Sequence, residues 1–178
     1  MSGKMNRIHH QFQELEKKRE KLMQQILPLT EAEYAKQPSP GSWSAIEAAN
    51  HVYLSEKLSL AYLKKKMAYP DTIPSYHFKS WGGVLLIKLV FGTGFKWNAP
   101  EMIDMRHQQP VLSPTGLNTK WPLQRKEMLS FIESHQAAFG SHLAYRHPYA
   151  GRMTMHQMLI FLNDHLSHHM KQINRILK

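Results

Sequence analysis

The sequence TMHQMLIFLNDHLSHHMKQINRIL, residues 154–177, has the hydrophobic spacing of one long amphipathic helix. Thr154, followed three residues later by Gln157, is typical of a capping box and predicts where this helix begins. At 100° per residue the large apolar side chains fall on one stripe about 100° wide. His169 falls inside that stripe and His165 on its edge. The stripe consists of Met155, Met158, Leu159, Leu162, Leu166, Ile173, Ile176 and Leu177.

Two histidines four residues apart on a helix can bind one metal ion from a single face. The spacing alone says little, because twelve histidines in 178 residues give such a pair by chance about 0.8 times. Position on the helix is more informative, since His165 and His169 share the inward surface. His168 points away from it and is expected in solvent. A hydrogen-bonded core histidine remains the alternative interpretation of each inward residue.

A second long helix is predicted from Ser44 to about Met67. Ser44 and Glu47 form a capping box, and His51 follows Glu47 by one turn. His51 could join the other two histidines, and three protein ligands leave a position for water or substrate, as in reactive metal sites. Glu47 is the candidate to orient a ligand or act as a catalytic base, with capping alone as the alternative. The predicted inward face of this helix carries His51 with Leu54, Leu58, Ala61 and Tyr62.

The remaining elements complete an all-α prediction for a single domain covering residues 1–178. Long helices are expected over about residues 6–27 and from Trp121 to about 139, and no strand signal is strong. Six prolines break residues 70–122 into a long irregular connection between the second and third long helices. Within it a short helix is expected over residues 83–91, as a buried helix, a cover over a site or an oligomer contact. Four long helices of this kind favour a bundle with its site built on facing helices.

Composition narrows the function classes. The chain has no cysteine, so a metal must be held by histidine, carboxylate or water. The charged N-terminus lacks the apolar core of a signal peptide, which favours a cytoplasmic protein. The longest apolar run, residues 84–91, is far below the roughly 20 residues needed to cross a bilayer, so no membrane association is expected. The net charge of +10 is scattered among acidic residues, which argues against nucleic-acid binding and suits an anionic small substrate.

Two motifs resemble the DinB/YfiT-like superfamily of metal-dependent enzymes. The first is Trp43-Ser44-x-x-Glu47-x-x-x-His51, and the second is HPYAGRMTMHQMLIFLNDHLSHHMKQI, residues 147–173. FKWNAP, from Phe95 to Pro100, and the third long helix extend the similarity over nearly the whole chain. The resemblance implies an antiparallel four-helix bundle that is often a homodimer.

The resemblance also implies a function. It makes His51, His165 and His169 the ligands of a divalent metal, usually zinc or nickel. Similar proteins include thiol S-transferases that use a low-molecular-weight thiol, so a thiol S-transferase or a hydrolase acting on a small-molecule substrate is expected. The same metal can lower the pKa of a thiol or of a water. The alternative is a non-catalytic binding or stress-response module that the metal stabilises.

Four further polar positions have weaker expectations. Gln172 either hydrogen-bonds a metal ligand or makes a purely structural bond. Asp164 is expected at the surface because it points away from the apolar stripe. His9 and His10, near the start of the first helix, are expected in solvent.

Overall fold

The computed structural model describes residues 2–93, 101–108 and 111–178, without the side chains of Ser2, Lys4 and residues 91–93. The FKWNAP motif lies outside the described residues. Six α-helices are described: α1 (Ser2–Ile26), α2 (Glu31–Tyr34), α3 (Ala45–Met67), α4 (Ser80–Thr93), α5 (Pro114–Phe139) and α6 (Met155–Ile176). Two short strands, β1 (Tyr145–His147) and β2 (Gly151–Met153), and two 3-10 turns, Pro70–Thr72 and Glu101–Ile103, complete the elements.

Helix α6 packs against α1, α3 and α4, and α5 packs against α1 and α3. The apolar stripe predicted for α6 faces this core: six of its members are buried, and Ile176 and Leu177 pack at its edge. Trp121 of α5 is fully buried in the same core. Among the described residues, no helix combines the length and the hydropathy that crossing a bilayer requires.

Both predicted capping boxes are confirmed. At the start of α3 the backbone amide of Ser44 donates to Glu47 Oε2 over 2.7 Å, and the amide of Glu47 donates to Ser44 Oγ. At the start of α6 the backbone amide of Thr154 donates to Gln157 Oε1 over 3.0 Å, and the amide of Gln157 donates to Thr154 Oγ1 over 3.1 Å. The two helices that carry the candidate histidines therefore begin at sequence-defined residues.

The third long helix begins earlier than predicted. Helix α5 starts at Pro114, not after Trp121, and Pro122 lies inside it. Ser113 is its N-cap and accepts from the amide of Gly116, while Pro114 occupies the first turn, where a proline costs no hydrogen bond. The prediction was wrong because it treated Pro122 as a helix boundary. Burial of the neighbouring Trp121 is part of the packing that keeps the helix continuous across the missing amide.

The predicted inward face of α3 was also wrong, apart from His51. Leu54, Leu58 and Tyr62 are half-buried and Ala61 is exposed. The buried face of α3 differs from the predicted face because the prediction considered only apolar residues. It therefore missed polar residues that have hydrogen-bond or ion-pair partners inside the protein. Ser55 and Ser59 donate to the backbone carbonyls one turn earlier, and Glu56 pairs with Arg125. The buried set after His51 is Val52, Ser55, Glu56, Ser59, Leu60 and Leu63.

The expectation that strands are absent fails at the HPYAGR sequence. Strands β1 and β2 form an antiparallel hairpin in which Tyr145 pairs with Met153 and His147 with Gly151. His147 Nδ1 accepts from the amides of Tyr149 and Ala150 over 3.2 and 3.1 Å, which closes the turn. Gly151 has a φ of 76°, a conformation that favours glycine. The pairing is only three residues long on each side, too short for a period-2 pattern.

The long connection between α3 and α5 is more ordered than predicted. It contains the two 3-10 turns and helix α4, whose bounds of Ser80–Thr93 exceed the predicted residues 83–91. Val84 and Ile87 of α4 are buried, whereas Leu85, Leu86 and Leu89 are exposed. The apolar run is therefore buried on only one side.

Candidate metal centre

The structure brings together the three histidines that the sequence singles out. His51 comes from the second turn of α3, and His165 and His169 come from successive turns of α6. They are 3%, 7% and 6% exposed. His165 Nε2 lies 3.1 Å from His51 Nε2 and 3.0 Å from His169 Nε2. The three ring nitrogens converge on one point in a nearly dry environment.

Hydrogen bonds on the far side of two rings fix their tautomers. His51 Nδ1 lies 2.8 Å from the carbonyl oxygen of Ile103, which can only accept, so Nδ1 carries the proton. His169 Nδ1 lies 2.8 Å from Gln172 Oε1 and donates to it in the same way. Gln172 is therefore a hydrogen-bond partner of a candidate ligand, the first of its two predicted roles. Both rings turn an unprotonated Nε2 toward His165.

Burial keeps these imidazoles neutral. It lowers the pKa of His51 to about 4, against the smaller raising effects of the Ile103 carbonyl and Asp104. Burial, followed by the neighbouring imidazoles, also lowers the pKa of His165 and His169 well below the usual value. At neutral pH the cluster therefore holds three neutral imidazoles, which is the protonation state that a metal requires.

The cluster has aromatic walls. The ring of Trp43 lies 4.7 Å from that of His51 and 6.2 Å from that of His169. Phe161 stacks on His165 at 5.4 Å and 21°. These contacts restrict the orientation of each imidazole and keep water away from its edges.

Asp104 organises the backbone next to the cluster. Its carboxylate is 3% exposed and accepts from the amide and the Nε of Arg106, each over 3.0 Å. The hydrogen bonds and charge of Arg106, with a smaller effect of the nearby Trp43 side chain, outweigh burial and lower the pKa of Asp104 to about 2. Asp104 directly follows Ile103, whose carbonyl accepts from His51, and its carboxylate lies near the Trp43 side chain, whose ring packs against His51.

The donor set fits a divalent metal ion. Three imidazole nitrogens at about 2.0–2.1 Å from one ion, at angles between about 90° and 109°, are about 2.8–3.4 Å apart. The two Nε2 separations of 3.1 and 3.0 Å fall in this range. Among the histidine, aspartate and glutamate side chains of the described residues, His51, His165 and His169 form the group of three whose ligand atoms all lie within 4.8 Å of one another.

Glu47 is not one of those groups. Its carboxylate caps α3, and its side chain lines a surface pocket of about 340 Å³ with Tyr34 and Leu112. A catalytic role for Glu47 stays a prediction.

Two residues of α6 that were expected at the surface need correction. Asp164 is half-buried, and burial raises its pKa against the opposing effect of Lys88. His168 is also half-buried, with its ring 5.1 Å from that of His169. The helical wheel gives the right direction for both residues, but it ignores the neighbouring elements that partly cover this side of α6. His9, expected in solvent, pairs with Glu133 of α5 over 2.7 Å and stays exposed.

Sequence reasoning missed Ile103 and Asp104. The contribution of Ile103 is a backbone carbonyl, which any residue supplies, and Asp104 lies in an irregular stretch more than fifty residues from His51. No periodicity or spacing connects either position to the cluster. Trp43 was found as part of a motif, but its contact with two of the imidazoles was not.

The class of protein is therefore a helical protein with a buried cluster of three histidines, on two packed helices, that could hold a divalent metal. The sequence matches the family model of the DinB superfamily over residues 14–173, which is most of the chain. The chain belongs to the DinB superfamily. Searches of curated proteins and of solved structures gave no match.

Proposed function

We propose that this chain is a metal-dependent enzyme in which His51, His165 and His169 hold one divalent ion, zinc or nickel. The observation that carries the proposal is the tautomer conflict at the cluster. His51 and His169 both direct an Nε2 lone pair at His165 Nε2, which can donate at most one proton. One proton cannot give both lone pairs a full hydrogen bond, whereas a shared cation satisfies all three nitrogens.

The residues around the cluster prepare it for this role. Ile103 and Gln172 hold the ligand tautomers, while Trp43 and Phe161 restrict the rings and exclude water. When bound, the metal would act as a Lewis acid and would lower the pKa of a thiol or a water toward neutral pH. Three protein ligands leave room for such a group.

Two reaction classes fit these properties: thiol S-transfer and hydrolysis of a small-molecule substrate. The chain has no cysteine, so the thiol of an S-transferase must come from a low-molecular-weight cofactor. The net charge of +10 suits an anionic substrate. Glu47 is the proposed base, because it lies one turn before His51 on the same helix.

The scaffold that we propose is a single domain over residues 1–178. In it α1, α3, α5 and α6 form an antiparallel four-helix bundle, supported by the packing of α6 and α5 against both α1 and α3. The homodimer, the cytoplasmic location and the absence of nucleic-acid binding stay predictions.

A non-catalytic, metal-stabilised binding module is the second candidate. The low exposure of all three histidines favours it, because structural metal sites are closed whereas catalytic ones keep an open position. The two candidates agree on the metal ligands and differ in whether a substrate reaches the ion.

Elemental analysis of the untagged protein tests the metal centre. We expect about one divalent ion per chain, and His165→Ala and His169→Ala should lose most of it while keeping helical circular dichroism. His168→Ala is the matched control, since it removes a neighbouring imidazole that lies outside the cluster, and it should retain the metal. Normal metal content in His165→Ala or His169→Ala would refute the assignment.

A ligand screen of the metal-loaded protein separates the two candidates. An enzyme should be stabilised by a thiol or substrate and should consume a thiol with an electrophile, or an ester or amide with water. Each activity should disappear in His165→Ala. A metal-loaded protein that binds no such ligand and turns over none of these substrates would favour the binding module.

A further inference from the structure

Helix α4 and Phe78, two residues before its start, present a row of large apolar side chains to solvent. Trp81 is 45% exposed, Leu85 59% and Leu89 60%. Leu86 and Phe78 extend the row at 48% and 76%. We call these five residues the α4 outer face. Together they expose on the order of 500 Å² of apolar surface, the size of patch that marks an interaction site on a soluble chain.

The opposite side of α4 is fixed in place, so the helix cannot rotate to bury this row. Val84 and Ile87 are buried beneath it. Gly83 lies so close to the hairpin turn that an added Cβ would be 2.0 Å from the carbonyl oxygen of Ala150. Ser80 Oγ accepts from the side-chain amide of Gln157 on α6 over 3.0 Å. The described part of the chain thus holds α4 with its outer face outward.

The charged side chains of α4 and of the residues just before it are lysines, although Asp164 of α6 lies near enough to interact with Lys88. The sequence from Thr72 to Pro100 contains no aspartate or glutamate, and Lys79 and Lys88 are exposed beside the apolar row. The whole chain carries a net charge of +10. A second copy of this face would bring lysine opposite lysine with no carboxylate from the same stretch. A partner with an anionic surface and an apolar interior complements both the lysines and the exposed apolar side chains of the outer face.

We propose that the α4 outer face docks on an anionic lipid surface. Helix α4 has 14 residues and spans about 21 Å at 1.5 Å per residue, so it lies along the bilayer surface and does not cross it. The leucines enter the region between headgroups and acyl chains. The aromatic rings of Phe78 and Trp81 sit at the headgroup level, and the two lysines contact lipid phosphates. The proposal is independent of the metal centre, and it replaces the expectation of no membrane association, which rested only on the length needed to cross a bilayer.

Sedimentation with vesicles tests it on the full chain. We expect the protein to sediment with vesicles of phosphatidylcholine containing phosphatidylglycerol and to stay in solution with phosphatidylcholine alone. Leu85→Ser with Leu89→Ser should weaken binding at least tenfold, and Lys79→Glu severalfold. Matched controls are Leu123→Ser, an exposed leucine on α5, and Lys57→Glu, an exposed lysine on α3. Both controls should bind like the wild type.

Three outcomes would overturn the proposal. The first is no sedimentation with the anionic vesicles. The second is that Lys57→Glu and Lys79→Glu weaken vesicle binding equally while the double serine variant binds normally. That result would show that the protein contacts the vesicles through its net charge alone. The third is a doubled mass in analytical ultracentrifugation that the double serine variant abolishes, which identifies the outer face as a contact between copies. Circular dichroism of each variant confirms that it is folded.

Discussion

Asp104 is placed to control His51 without touching a metal. It accepts hydrogen bonds from Arg106, and it lies near the Trp43 side chain, whose ring is 4.7 Å from that of His51. The carbonyl of its neighbour Ile103 accepts from His51 Nδ1. Loss of the carboxylate should therefore loosen both contacts of His51 while all three ligands remain.

For Asp104→Asn we expect metal affinity to fall by about tenfold or more, as is usual when a partner of a ligand is lost. Competition with a coloured chelator measures this change. The matched control is Asp71→Asn, an exposed carboxylate in the same connection, which should bind metal normally. Nitrogen NMR of the imidazoles adds a second measurement, since His51 should show a mixture of tautomers only in the Asp104 variant. Unchanged affinity in Asp104→Asn would remove this role.

His147 gives a pH-dependent contribution to stability. Burial lowers its pKa to about 4, and the two backbone amides that donate to Nδ1 oppose protonation further. A histidine in the unfolded chain titrates near 6.5. Below that pH the unfolded state gains a proton that the folded state resists, so stability is full above pH 6.5 and falls toward pH 4.

For His147→Asn we expect a smaller fall in the urea midpoint between pH 6.5 and pH 4, because the asparagine oxygen can accept from the same amides but does not titrate. His77→Asn, at an exposed histidine, should keep the wild-type slope. Equal slopes in all three proteins would show that His147 titrates normally in the folded state.

Single residues were predictable where a helix determines their direction. His51, His165 and His169 could be predicted because capping boxes set the start of each helix and the inward side follows from the rotation per residue. Asp104 could not be predicted in this way, because its position depends on the path of an irregular segment. The tautomer of each imidazole also depends on partners that only the folded structure shows.

At the scale of elements, a buried ion pair joins three helices. Arg125 of α5 donates to Glu56 of α3 over 2.7 Å, and it also donates to the carbonyl of Leu15 on α1. Arg125 is 3% exposed and Glu56 1%. The indole of Trp121 donates to the same carboxylate over 2.7 Å. This network explains how α3 can turn a glutamate inward.

Glu56→Gln should lower the free energy of unfolding by about 3 kcal/mol, because the buried Arg125 charge then keeps only the partly exposed Glu16, 3.3 Å away, as a carboxylate partner. Glu127→Gln removes the partner of Lys64 in an exposed pair and should cost less than about 1 kcal/mol. Urea denaturation measures both. A Glu56 variant as stable as the Glu127 variant would show that water or a neighbouring group compensates Arg125.

The contact between α4 and the hairpin depends on Gly83. A Cβ there would meet the carbonyl oxygen of Ala150 at 2.0 Å, whereas a Cβ at Gly82 would meet nothing within 4 Å. Gly83→Ala should therefore destabilise the protein. Gly82→Ala should stabilise it by roughly 0.5–1 kcal/mol through helix propensity. Thermal unfolding of the two variants is the measurement, and equal shifts of the same sign would contradict this packing.

Elements were predictable where apolar periodicity is clear, as in α1, and the start was predictable where a capping box also marks it, as in α6. The start of α5 was not, because proline in a helix is a local penalty that tertiary packing can outweigh. The inward face of α3 was not predictable either, since the burial of Glu56 requires an arginine about seventy residues away. Helix α4 was found, but a run that is apolar on all sides does not show which side is buried.

At the scale of the whole molecule, the core and the candidate metal centre are separable. The largest fully buried side chains include Trp121, Ile8 and Met128, which come from helices α1 and α5, and neither of these helices supplies a histidine to the cluster. The core is continuous from α1 to α6 without any contribution from an ion. Removal of metal should therefore leave the chain folded, unlike small domains that unfold without zinc.

Treatment with a chelator should preserve helical circular dichroism and lower the melting temperature. Binding to the folded state alone adds about 4 kcal/mol of stability when the free metal is a thousandfold above Kd, so the shift should grow with metal concentration. His165→Ala is the control: it should melt at the same temperature with and without metal. If the wild type also fails to respond, the three imidazoles do not share an ion. If the chelated protein loses its helices, the metal is a structural part of the core, which favours the binding module over the enzyme.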